Sequence, residues 1–226
     1  MKLSVKECLS FGWETFKKRP WLLAGAVAVG VLVDGLTSLI ERATHGSYIL
    51  EPLGVLLAIL ISMLYATGQT NLFVKAHDDP MSARVADLLH LRAYWRFLCT
   101  SILLWLFIGL PYLALEFLSV PPVVMALLII PALIVSLVFG FALYLVVDRG
   151  MGPLQSLKES AQITRGHRLE LFLLLLAIVG VNLLGLAALV IGLFVSVPVT
   201  VLAMVHAYRM LSGTLPVAVA PAAGAV

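Results

Sequence analysis

The stretch that decides the fold runs from Asp148 to Ser212. It opens DRGMGPLQSLKESAQITRGH (148–167), continues as an almost uninterrupted apolar hairpin, and ends PVTVLAMVHAYRM (198–210). A charged turn feeds a short amphipathic helix, then a basic cluster, then two membrane passes. The passes are separated by little more than Gly192, so the turn between them is tight. Looser versions of the same unit begin near residues 4 and 80, which organises the whole chain as hairpins.

Composition agrees. The 226 residues are 62% hydrophobic and 12% charged, with a net charge of +3. Mean hydropathy is +1.07. Soluble domains run at about 45–50% apolar and about 25% charged, so lipid must be the main solvent for this chain. The basic residues fall in small groups without interleaved aromatics on a polar face, which argues against a nucleic-acid partner. Cys8 and Cys99 both fall on the side assigned below to the cytoplasm. A structural disulfide is therefore not expected, and two thiolates cannot complete a metal site.

Residues 4–18 read as an amphipathic helix. Val5, Leu9, Gly12, Trp13 and Phe16 share one face; Lys6, Glu7, Ser10, Glu14 and Lys17 share the other. Ser4 and Glu7 have the spacing of a capping box. Such a helix suits the membrane interface, and it could equally pack on its own bundle. Lys17-Lys18-Arg19 before WLLAGAVAVG resembles a signal peptide, but the segment before it is long and patterned and the apolar run continues towards Leu39. It is read as the first transmembrane helix, about 21–40.

Further passes are predicted at about 50–74, 97–117, 123–147, 169–189 and 194–211. Pro111 is expected to kink the third pass. Pro131 lies in the fourth and Pro198 near the start of the sixth. The second pass ends in an unusually polar run, Thr67-Gly68-Gln69-Thr70-Asn71. Asp79 and Pro80 can open a second short helix, with Val85, Leu88, Leu89 and Trp95 against Arg84, Asp87, Arg92 and Arg96. Pro153 opens a third, with Leu154, Leu157 and Ala161 on one face. The fold expected is all-α integral membrane: six transmembrane helices as three hairpins, each preceded by a short cytoplasmic amphipathic helix. Residues 1–213 form one polytopic domain, with a possible three-fold repeat over 4–78, 80–150 and 152–212, and 214–226 is a low-complexity tail.

Charge placement sets orientation. Of the fifteen Lys and Arg residues, only Arg42 falls on one side of this scheme; it stands near Glu41, Glu51 and Glu116. The others lie before the first pass, in the even-numbered loops or at Arg209. The positive-inside rule then puts both termini in the cytoplasm of a prokaryotic cell, with the chain in its inner membrane. Trp13, Lys17, Lys18, Arg19, Arg96, Arg165, Arg168 and Arg209 are the expected interfacial anchors.

Few residues could carry chemistry. Asp34 is the one clear acid inside an apolar span. An intramembrane carboxylate is costly unless paired or hydrated, which makes it a functional candidate. The plainer reading, favoured here, is that it lies near enough the outer surface to meet water or Arg42. Gln69, Thr70, Asn71 and Asn182 either tie helices together or line a polar pocket; helix ties are the commoner use of such groups. His77, Asp78, Asp79 and His90 fit no metal-ligand spacing and read as a solvated turn. His206, Tyr208 and Arg209 read as helix-end anchors. Gly25, Gly30, Gly35, Gly140, Gly180 and Gly185 are expected to permit close helix contact. No phosphate loop, zinc motif or serine elbow is present. The chain is therefore expected not to be an enzyme, and no cofactor or metal is expected.

Asp148-Arg149-Gly150-Met151-Gly152-Pro153-Leu154, with Ser156, Ser160, Gly166, Gly192-Leu193, Pro198 and Ala207-Tyr208-Arg209, resembles the C-terminal half of a large group of bacterial and archaeal membrane proteins. The group takes in DUF975-like and YciC-like proteins and the membrane domain attached to some glycerophosphodiester phosphodiesterases. Gly12-Trp13, Phe16, Lys17 and Pro20 are similar to its opening. The resemblance implies a six-helix membrane domain and no particular chemistry.

The functional expectation is a scaffold or accessory subunit that contacts membrane lipids and other membrane-protein subunits. The alternative is a small transporter or channel with a polar path near Asp34, Gln69, Asn71 and Asn182. The orientation is directly testable: a cysteine at Gly46 should react with an impermeant maleimide added to intact cells. Labelling seen only after the cells are broken would reverse the topology.

Overall fold

The structure is a computed structural model that describes residues 3–89, 92–117, 129–188 and 192–213. The element order is α1 (Val5–Lys18), α2 (Pro20–Thr44), α3 (Leu50–Asp78), a short 3-10 helix (Val85–Leu89), α4 (Tyr94–Phe117), α5 (Ile129–Phe139), α6 (Ala142–Arg149), α7 (Pro153–Ile163), α8 (Arg168–Ala187) and α9 (Leu193–Leu211). No strand occurs among the described residues. Five runs are long and apolar enough to cross a membrane: α2, α3, residues 130–149, α8 and α9. Helix α4 is apolar from Tyr94 to Phe107 and carries Pro111 within a continuous helix.

Helix α1 begins where its sequence says it should, with the Ser4 hydroxyl accepting from the Glu7 amide at 3.4 Å. It packs most extensively on α9, along the length of that helix. Its buried face is Cys8, Gly12, Thr15 and Phe16, while Trp13 is left half exposed. Burial, with Glu7 beside it, pushes the Cys8 thiol up to about 12. Leu3 lines one pocket with Met210 and Leu211, so the two described ends of the chain meet at one end of the bundle.

Helix α9 is the centre of the packing and the most buried of the five apolar runs. It touches α1, α2, α3 and α8. The main core gathers Phe16, Leu23, Leu72, Phe73, Leu88 and Leu202 around it. On its other side Cys8, Phe141, Leu145, Leu174 and Tyr208 form a second cluster. Outward faces remain apolar: Leu32 and Leu36 on α2, Leu53 on α3, Phe107 on α4 and Leu183 on α8 are exposed. Lipid is the solvent such surfaces need.

Two of the short helices depart from expectation. The helix expected after Pro80 is a single 3-10 turn, because the segment is laid along the polar end of α3. The Asn71 amide donates to the Asp87 carbonyl at 3.2 Å, Lys75 pairs with the Asp87 carboxylate, and Gly68 faces the Leu88 carbonyl. The buried face of α7 is Ser156, Leu157 and Ser160, and Leu154 is 67% exposed. Its hydroxyls have a task. The break at Gly140 between α5 and α6 interrupts the ladder that would satisfy the Val138 carbonyl. Ser160 donates to that oxygen at 2.9 Å and Thr164 at 3.3 Å.

The expected glycines divide: Gly30 lies close against Tyr65 of α3 and Gly185 against Ser196 of α9, as expected, and others do not. A methyl group at Gly25, Gly35 or Gly180 would meet nothing within 4 Å. At Gly12 it would lie 2.3 Å from the Val199 carbonyl oxygen, and at Gly68 1.7 Å from that of Leu88. Gly12→Ala and Gly68→Ala should each lower stability by about 1–3 kcal/mol through overpacking against backbone. Gly25→Ala should be neutral or raise it by about 0.5–1 kcal/mol through helix propensity. Denaturation in detergent micelles checks the order; equal effects at the three sites would sink this account of the α1–α9 contact.

Candidate functional site

The largest polar assembly lies where α3, α6 and α9 end together. Arg209, in the last turn of α9, is only 7% exposed. Its Nη1 donates to Asp148 Oδ2 at 2.8 Å and Nη2 to Asp148 Oδ1 at 2.9 Å, a two-pronged grip on one carboxylate. Its Nε donates to Asp78 Oδ1 at 3.1 Å, and Nη2 also reaches Asp78 Oδ2. The Tyr208 hydroxyl donates to Asp148 Oδ2 at 2.6 Å. A guanidinium withdrawn from water demands such partners, and its planar fork suits paired carboxylates.

The two acids are not equivalent. The Asp148 side chain is 14% exposed and that of Asp78 42%. Asp78 keeps part of its hydration, so Asp148 carries most of the neutralisation. Asp78, Asp148 and Arg209 each stand within the last three residues of their helices. The cluster thereby binds the ends of α3, α6 and α9 to one another.

A histidine pair extends it. His77 Nδ1 lies 3.0 Å from Asp78 Oδ1, and His77 Nε2 lies 3.1 Å from His206 Nδ1. From α1, Phe11 stacks on His206 with centroids 4.2 Å apart and covers His77 at 4.5 Å. The expectation of a solvated turn is therefore corrected for His77, which is buried, while Asp78 and Asp79 are exposed. Arg209, expected as an interfacial anchor, and His206, read as a helix-end anchor, are both buried; the two acids partner the one and Phe11 covers the other. His90 lies outside the described residues. No group of three His, Cys, Asp or Glu side chains could hold a metal among the described residues.

Other expected anchors make contacts within the protein. Arg19 donates to the carbonyls of Met81 at 3.2 Å and Ala83 at 2.9 Å, fixing the segment after α3. Arg96 donates to the Gly150 carbonyl. Lys17 pairs with Glu14 at 2.7 Å. Lys18, Arg165 and Arg168 are exposed and Trp13 is half exposed.

The four residues of the expected polar path do not come together through hydrogen bonds. Asp34 lies on the exposed face of α2 and makes no ion pair among the described residues. Gln69 is half-buried. Asn71 is tied to Asp87. Asn182 on α8 donates to the Thr200 hydroxyl on α9 at 3.3 Å, a tie across one helix pair. The hydroxyls of Thr67 and Thr70 donate to carbonyls of their own helix, those of Met63 and Ala66. The acid–arginine–acid cluster was missed because its members are spread over 131 positions. The signal present in the sequence was a charge closing each of the three second passes.

Residues 115–214 match the model of a family described as a protein of unknown function, DUF975. The matched part is somewhat under half of the chain and holds Asp148, His206, Tyr208 and Arg209, so in this region the chain is similar to that family. No curated protein and no solved structure matches the chain.

Removing Arg209 leaves two carboxylates facing each other. Arg209→Met should cost about 3–5 kcal/mol, the usual loss when one member of a buried ion pair is deleted. Asp148→Asn should cost more than Asp78→Asn. The triple variant Arg209→Met, Asp78→Asn, Asp148→Asn should recover much of the loss. Thermal unfolding in nanodiscs measures all four, and a triple variant as unstable as Arg209→Met alone would show that charge balance is not what the cluster provides.

Proposed function

We propose that this chain is a six-pass protein of the prokaryotic cytoplasmic membrane, arranged as three helix pairs with both ends on the basic, cytoplasmic side. We propose further that it works without catalysis, as a scaffold or accessory subunit of a membrane complex. The observation that carries this reading is the engagement of its polar groups. Asn71 and Asn182 bind neighbouring elements, Thr67 and Thr70 bind their own helix, and the buried charges neutralise each other. The outward faces offer large apolar side chains to lipid or to another protein's helices. The resemblance to DUF975 brings no activity with it, since that family has no described function.

The transporter reading rests on Asp34, an acid in the lipid-facing wall of α2. Reconstitution separates the two. Purified protein in liposomes should leave an imposed proton or potassium gradient decaying at the rate of empty liposomes. Cross-linking in native membranes should join the chain to the same membrane protein in repeated preparations. A gradient discharged by the wild type but not by Asp34→Asn or Asn182→Leu would replace this proposal with transport.

A further inference from the structure

Beyond any scaffold role, the geometry points to a proton-binding site at the His77–His206 pair that controls whether α1 stays docked. The argument begins with where the protons sit. Both Asp78 oxygens accept from Arg209, so the hydrogen shared with His77 Nδ1 at 3.0 Å sits on the ring. In a neutral ring His77 Nε2 is then a bare lone pair, and His206 Nδ1 at 3.1 Å must donate to it. That leaves His206 Nε2 as a lone pair, and this atom is buried with no hydrogen-bond partner.

One chain of hydrogen bonds thus runs from Arg209 through Asp78 and His77 to His206 and stops at an unused basic nitrogen. A proton arriving there would create a buried N–H with nothing to accept it, which carries the full desolvation cost of that group. The surroundings of His206 do not offer relief. From α3 come His77 and Asp78, the latter already held by Arg209. From α6 comes Asp148, engaged by Arg209 and Tyr208, with Arg149 beside it near Glu159 of α7. On α9 itself stand Tyr208 and Arg209. From α8 the nearest charged groups, Arg168 and Glu170, belong to the end where Glu170 takes the Leu3 amide and His167. From α2, Arg19 at its head is occupied by the Met81 and Ala83 carbonyls. From α1 comes the ring of Phe11 alone, stacked on His206.

Phe11 is therefore the one neighbour that can move aside and let water reach Nε2. The docked arrangement holds the pair neutral, and the arrangement with α1 lifted holds the proton with water as its acceptor. Acid shifts the population towards the lifted state by linkage, because that state binds the extra proton.

Cys8 reports on this directly. It is fully buried on the same helix, one turn before Phe11. Its reaction with dithiodipyridine, read by peptide mass spectrometry on the full-length protein in nanodiscs, measures docking, with exposed Cys99 as internal reference. Relative to Cys99, Cys8 should react faster as pH falls from roughly 7.5 to 5, with a slope of up to about tenfold per pH unit for one linked proton. Thiol ionisation falls with acid, so an increase reads exposure. His206→Phe should abolish the acceleration while Cys8 stays protected at neutral pH. Cys8 equally protected across that range in the wild type overturns the proposal. So does the same acceleration in both His206→Phe and His77→Gln.

Discussion

A guanidinium kept out of water at the end of α9 constrains everything around it. Arg209 cannot lie where it does unless Asp148 and Asp78 are brought to it, and those acids end two other helices. Helices α3, α6 and α9 are thereby fixed together at one end, and α9 is drawn into the middle. Its apolar length then provides the surface on which α1, α2, α3 and α8 pack. A buried ion pair is poor evidence for net stability, since desolvation offsets most of the attraction. Its value here is one of register. Few other arrangements of these helices could supply two carboxylates to one arginine.

The remaining cations follow the same logic at lower cost. Arg19 and Arg96 hold backbone carbonyls of the segments that leave α3 and α6. A loop at a membrane surface has few backbone partners of its own, and a long donor from a neighbouring helix provides one. The charge asymmetry of the sequence therefore has a second role beside orientation: it pins the connections at the basic end.

Much of the architecture could be read from the residues. The apolar runs, the Ser4 cap and the helix opening at Pro153 all reflect local chemistry, and local chemistry is what a sequence displays. What escaped was everything set by packing over long separation. Arg209 looked like a helix-end anchor because nothing nearby in sequence shows the acids that take it inside. The polar run in α3 looked like a pocket or a helix tie; its use as a bed for residues 79–89 depends on a chain reversal no periodicity records. Gly12 sat on the predicted apolar face, but its bareness is explained only by the backbone of α9 lying against it. The hydroxyls of α7 were overlooked for a similar reason, since the carbonyl they serve belongs to a helix break two elements away.

The pairing of α1 with α9 also bears on the order of assembly. Helix α1 is made before α9, the surface it docks on. Throughout synthesis α1 must wait, and its two-faced character gives it a place to do so, lying flat at the lipid–water boundary. Only when the final hairpin has inserted can Gly12 close on the Val199 backbone and Phe11 reach the histidines. Docking of α1 on α9 therefore comes late, and a chain cut before α9 would lose the main surface that α1 packs on.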